Sequence, residues 1–313
     1  MKLQTKIPLK QASNLIDYDS RLVLLGSCFS ENIGTIFSEF QFQTVQNPFG
    51  ILFHPEAIER FIQRSLDDYH YDAKDVFFHN ERWHCLDAHS RLSTPVKEVL
   101  IENLNSKSVS GKAAILEATH IILTLGTARG YRFNETNRLV ANCHKLPQDQ
   151  FSKILFEVKE VKQSLTNMVN LILSVNQKAS IIFTVSPVRH LKDGFVENMQ
   201  SKAHLIAAIH QIKTEEVSYF PAYELMMDEL RDYRFYEEDM IHPNKTAIAY
   251  IWDRFKSVWL SPEAEKTMEA VSKIQRGLQH KPFNADSIAH KAFLQKLETQ
   301  KAILQRRYQH IKF

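Results

Sequence analysis

The chain has 313 residues, 44% of them apolar and 24% charged, with a formal net charge of +3. That length buries a large core and suits one large domain or one domain with an extension. No apolar run approaches the roughly 18 residues that cross a bilayer, and Met1–Lys10 lack the apolar stretch of a secretory signal. A cytoplasmic protein is the expectation. Three scattered cysteines (Cys28, Cys85, Cys143) argue against a disulfide framework. Among 14 histidines there is no H-E-x-x-H, and no C-x-x-C accompanies them, so no metal and no other cofactor is expected.

Taken along the chain, Leu22–Leu25 reads as a buried strand and Ser30–Phe40 as the helix after it, with Ile33, Ile36, Phe37 and Phe40 on one face. Phe42–Val45 is a weaker strand. Pro55–Leu66 reads as a helix with proline in its first turn. Val76–Leu86 alternates aromatics around Asn80-Glu81 and predicts a hairpin. Thr119–Leu125 and Ala179–Val185 are short, β-branched apolar runs, the pattern of strands covered on both faces. Between them, Tyr131–Phe133 and Leu139–Ala141 flank a turn at Asn134–Asn137, and a helix is expected over Gln150–Val175. A helix near Glu197–Lys213, an irregular aromatic stretch from Tyr219 to Tyr236 and a helix over Pro243–Trp259 follow. Trp83, Trp252 and Trp259 read as core or interface residues.

The alternation of strands and helices predicts a mainly parallel sheet with helices on both faces, a three-layer α/β/α sandwich, over residues 1–260. Ligands bind such sheets at the carboxyl ends of the strands. Ser27, Thr127 and Ser186 lie just past such ends and should share one rim. Residues 261–313 read as a basic helical extension: residues 271–313 carry nine Lys/Arg against Asp286 and Glu298. The extension lacks the interleaved aromatics of a single-strand binder, so nucleic acid is not expected as a partner. Leu294, Leu297, Leu304, Tyr308 and Ile311 predict a short helical seam packing on the domain or on a sister subunit, which would make a homo-oligomer.

One arrangement predicts a reaction. Ser27 follows a strand and opens a helix, while Asp239 and His242 stand three residues apart far downstream. A serine hydroxyl needs a base to take its proton, and that base needs a group to orient it. His242 and Asp239 suit those roles, and the helix N-terminus favours a developing oxyanion. Cys28, a thiol beside the hydroxyl, is an alternative nucleophile.

Here the sequence resembles the GSCFA family, relatives of the SGNH (GDSL-like) hydrolases. The resemblance lies in Gly26-Ser27-Cys28-Phe29-Ser30, Asn47-Pro48-Phe49-Gly50, Thr124-Leu125-Gly126-Thr127 and Asn142-Cys143-His144-Lys145. It continues through Thr184-Val185-Ser186-Pro187-Val188-Arg189-His190, Arg231–Tyr236 and Asp239–Pro243. Ser30 stands where the family name has alanine. The resemblance implies a flavodoxin-like sheet and a Ser27, Asp239, His242 triad acting on a small-molecule or glycan ester. The alternatives are an acyltransferase or a binding module that has lost the reaction. The SGNH oxyanion asparagine is absent from Gly126-Thr127-Ala128-Arg129. Asn142 and the backbone of Gly50 are candidate replacements, and Thr127, His144, Arg189, Arg129 and His190 are candidate rim residues near the substrate.

Overall fold

The central strands bury alternate residues on opposite faces, so each must be roofed twice. In the computed structural model, which describes residues 4–313, five strands form one parallel sheet, whose edge strand at residues 43–46 is only half-buried. They are β1 (Arg21–Gly26), β2 (Gln43–Gln46), β5 (His120–Leu125), β9 (Ser180–Val185) and β10 (Val217–Phe220). The order is β2-β1-β5-β9-β10, every neighbouring pair parallel. This is the flavodoxin-like order, whose direction of winding reverses between β1 and β5.

Strand parity assigns the two roofs. Val23, Leu25, Ile121, Leu123, Ile181 and Phe183 face one core. That core is closed by α2 (Pro55–Leu66), α3 (Lys97–Glu117), α4 (Val158–Val175) and α5 (Phe195–His210). Leu22, Leu24, Ile122 and Ile182 face the other, under α1 (Cys28–Glu39), α7 (Lys245–Trp259) and α8 (Pro262–Gln279). Each fully buried Leu, Ile or Phe on these faces contributes about 1.5–3 kcal/mol. The expected three-layer α/β/α sandwich is therefore the observed architecture.

Smaller elements sit above the sheet. The hairpin expected around Asn80-Glu81 is β3 (Phe77–His79) and β4 (Arg82–His84), and both turn residues have positive φ, as a tight two-residue hairpin requires. The second expected hairpin is β6 (Arg129–Phe133) with β7 (Arg138–Val140). It gains an unexpected third strand, β8 (Phe151–Leu155), which pairs with the far side of β6. The helix expected from Gln150 thus begins only at Val158, where Glu157 and Glu160 form a reciprocal cap.

Two further elements differ from expectation. Helix α3 was not expected, because its buried stripe of Leu100, Leu104, Ser108, Gly111 and Ile115 includes two residues that carry no hydrophobic signal. The aromatic stretch after residue 216 begins as the edge strand β10, then passes into α6 (Ala222–Glu224) and a π-turn over Leu225–Glu229. At the C-terminus, the Ser261 side chain caps α8 by accepting from Ala264 N at 3.0 Å. Met268 and Val271 of α8, together with Tyr308 and Ile311, join the same core as β1 and α7. In α9 (Ile288–Arg307), only Leu297 is buried, and Tyr308 and Ile311 lie beyond the helix end. Trp252 and Trp259 are core residues and Trp83 is half-buried. No helix among the described residues is long and apolar enough to cross a membrane.

Candidate active site

The parallel topology collects the ends of β1, β2, β5 and β9 along one rim. Gly26 closes β1 at φ +138°, and a Cβ there would fall 2.1 Å from Thr124 O, so only glycine lets β1 and β5 approach this closely. Ser27 follows as the N-cap of α1, but its hydroxyl makes no capping bond. Ser27 is 2% exposed, and its Oγ is buried without any hydrogen-bond partner. An orphaned buried hydroxyl costs about 1–3 kcal/mol. Its retention points to a use other than capping.

Asp239 and His242 form a built pair. His242 Nδ1 lies 2.6 Å from Asp239 Oδ2, while Asp239 Oδ1 accepts from Ile241 N at 2.8 Å and His242 N at 3.0 Å. These bonds stabilise the carboxylate and hold its pKa down at about 2. The pairing requires the loop to double back, with Met240 at φ +54° and Glu237 N donating to His242 O at 2.7 Å. Downstream, Asn244 caps α7 through Ala247 N and also donates from its side chain to Arg234 O at 2.7 Å. Asp239 and His242 are about half exposed, and the Ser27 hydroxyl makes no bond to the imidazole.

Arg189 ties this loop to the end of β9. Its backbone N donates to Ile241 O at 3.2 Å and its Nη1 to Met240 O at 3.0 Å. Its guanidinium lies 5.4–5.8 Å from the ring centroids of Phe195, Tyr233 and Tyr236. Arg189 therefore braces the Asp239–His242 loop. His190, the next residue, is half-buried, with its Nε2 atom buried and unpartnered, and that atom is 3.2 Å from where a Cβ on Gly126 would sit. Burial, then the charges of Lys202 and His242, push the His190 pKa down to about 3, so it is neutral.

The other expected rim residues have polar groups engaged within the protein. Gly50, at φ +74°, donates its N–H to Asn47 O at 2.8 Å, so that group is engaged within the turn. Asn142 accepts from His144 N at 2.8 Å, and His144 Nε2 bonds Cys85 O at 2.7 Å. None of these bonds reaches the Ser27 loop. Burial lowers the His144 pKa to about 4. Thr127 Oγ1 bonds Ser201 Oγ at 2.8 Å and accepts from Arg129 N at 2.9 Å, a tie between β5 and α5. Arg129 itself reaches Gln200 at 3.2 Å. Burial and then the Glu31 charge push the Cys28 thiol up, away from a reactive thiolate. Among the described residues, no group of three or more His, Cys, Asp or Glu is placed to hold a metal.

Residues 21–255 match the sequence model of the GSCFA family, and residues 271–313 match that of the GSCFA domain protein, C-terminal domain. The chain belongs to the GSCFA family. No curated protein matches it.

The GSCFA site holds two residues that the sequence reading passed over. Asn47, at the end of β2, has left-handed backbone (φ +40°) and accepts from Gly26 N at 2.8 Å through Oδ1. This fixes the amide orientation, and it leaves Nδ2 buried and unpartnered beside the serine loop. It stands in the Asn47-Pro48-Phe49-Gly50 block that carries the family resemblance, so its signal lies in the same motif as the glycine. Lys202, on α5, is fully buried and donates to Gly126 O at 2.6 Å and Ser186 O at 2.7 Å, joining the ends of β5 and β9. Its signal is a lysine on the stripe Asn198, Ser201, Lys202, Leu205 and Ile209, the face that α5 buries.

Proposed function

We propose that this GSCFA protein is a serine hydrolase, a relative of the SGNH enzymes, that cleaves a carboxylic ester of a small molecule or glycan through an acyl-Ser27 intermediate. The carrying observation is the 2.6 Å contact of His242 Nδ1 with a carboxylate whose other oxygen is fully engaged. That contact fixes the proton on Nδ1 and leaves Nε2 free as the base. Asp239, held at about 2, stays ionised throughout the range in which an imidazole works.

In the proposed reaction Ser27 Oγ attacks the ester carbonyl as His242 Nε2 takes its proton. Substrate entry brings the imidazole and hydroxyl together and shields both from water. The oxyanion meets the amide of Asn47 and the N–H groups of Cys28 and Phe29, which open α1 and have no carbonyl four residues back within the helix. The N–H groups of Ser27, Gly126 and Thr127 are already given to Thr124 O and Phe53 O. His242 then returns the proton to the departing alcohol. Water, activated in the same way, releases the acid.

The test is the turnover of short-chain esters by Ser27→Ala, Asp239→Asn and His242→Ala. Each is expected to lose about a thousandfold or more in kcat with the thermal transition retained. Full activity of Ser27→Ala would remove the serine from the mechanism. The open serine–imidazole contact favours a second reading, a binding module that kept the fold and lost the reaction. Folded protein that resists a fluorophosphonate probe and turns over no ester would support that reading instead.

A further inference from the structure

A cavity of about 440 Å³ opens beside the loop that carries His242. Its walls come from three places: Phe195 and Met199 of α5, Met226 and Met227 of the π-turn, and Tyr233 and Tyr236 of the segment leading to Asp239. Phe195 is 64% exposed and Tyr233 62%, so large apolar surface is left open to solvent beside the site. Arg189 enters this wall, but its charge is engaged by Met240 O and spread over three aromatic faces. The exposed Arg231 and Asp232 add one charge of each sign to the lining, so the wall carries no net excess of positive charge beyond the engaged Arg189, and its aromatic and methionine faces select apolar, flat groups rather than anions. Methionines and a π-turn are suited to an adaptable ligand wall. The volume falls within the range of small-molecule sites.

We infer that this cavity binds the alcohol portion of the ester, and that the alcohol is aromatic or otherwise flat and apolar. The inference rests on the acyl-Ser27 reading. Its support is the side of the rim on which the cavity lies. The oxyanion donor Asn47 stands at the end of β2, on one side of Ser27. Arg189, Tyr233 and Tyr236 belong to the β9–β10 side, with the imidazole. A base that returns its proton to the leaving oxygen must sit next to the leaving group. A carbonyl oxygen turned toward Asn47 thus directs the alcohol toward His242 and into the cavity beyond it.

The experiment compares two ester series on the full chain: acetates of ethanol, phenol and 2-naphthol, and phenyl esters of acetic, butyric and octanoic acids. The variants are Phe195→Ser and Met199→Ser, both at exposed positions, and Met227→Trp, which fills the cavity. Binding of 2-naphthol itself is followed by its fluorescence. Each variant is expected to lower the 2-naphthyl-to-ethyl ratio of kcat/KM about tenfold, and to weaken 2-naphthol binding to match. The acyl-length profile should keep its wild-type shape. Variants that reshape the acyl-length profile and leave the alcohol ratio intact would overturn the assignment, as would 2-naphthol binding that is absent or indifferent to all three. If 2-naphthol binds in the cavity but no ester is turned over, the cavity stands as a site for flat apolar alcohols and the acyl-serine reading fails.

Discussion

Replacing Lys202 by methionine tests how the site is held together. The Lys202 side chain is fully buried, with Nζ shared between Gly126 O and Ser186 O and 5.5 Å from the centroid of the Tyr223 ring. Burial lowers its pKa from 10.5 to about 7, with the nearby Cys28 opposing the shift. Between these values the unfolded chain holds a proton that the folded protein has released. Unfolding in that window takes up a proton, so stability rises with pH, by up to about 1.4 kcal/mol per pH unit. The rise should total on the order of 4 kcal/mol between pH 7 and 10. Lys202→Met removes the titration and leaves two buried carbonyls without donors, at about 1–3 kcal/mol each. Wild type should therefore exceed the variant clearly near pH 9.5, and the gap should narrow or reverse near pH 6.5. The Cys85 and Cys143 thiols, pushed up by burial, titrate in the opposite sense, but they are common to both proteins and cancel in the difference, whereas the Cys28 thiol, which Lys202 pulls down, rises further in the variant. Urea unfolding at several pH values measures it. A gap independent of pH would show that the lysine keeps its ordinary pKa, and would refute the reasoning.

Asn47→Asp keeps the oxygen that Gly26 uses but removes the amide hydrogens, so kcat for a short-chain ester should fall by about a hundredfold or more with a smaller change in KM. Unchanged kcat in this variant would leave the oxyanion to the N–H groups of Cys28 and Phe29. Gly26→Ala places a Cβ 2.1 Å from Thr124 O at φ +138° and should cost about 3 kcal/mol or more in urea unfolding. A loss under about 1 kcal/mol would mean that the β1–β5 approach is not as tight as described.

The order of hydrophobic runs was enough to specify the layered architecture, because a strand buried on both faces must be apolar along its whole length, as Ile121–Leu123 and Ile181–Phe183 are. Turn chemistry did the same for the hairpin at Asn80-Glu81. The Gly26-Ser27 step and the Asp239–His242 spacing were also legible, since a three-residue separation lets one loop join carboxylate and imidazole. Local pattern did not show α3 or β8. Two of the five residues of the α3 seam are Ser108 and Gly111, which pack by small size, and β8 is a strand only because β6 offers it an edge.

The rim itself was decided by tertiary structure. Whether Gly50 or Asn47 has a donor to spare depends on which carbonyls come within reach, and whether Arg189 meets a substrate or braces a loop depends on Met240 O lying 3.0 Å away. Lys202 reads as an ordinary helical lysine until two strand ends, 60 residues apart in the chain at Gly126 and Ser186, close over it. Composition and periodicity report what each segment must bury. They do not report which polar atoms remain unpaired once distant segments meet, and it is those atoms that define this site.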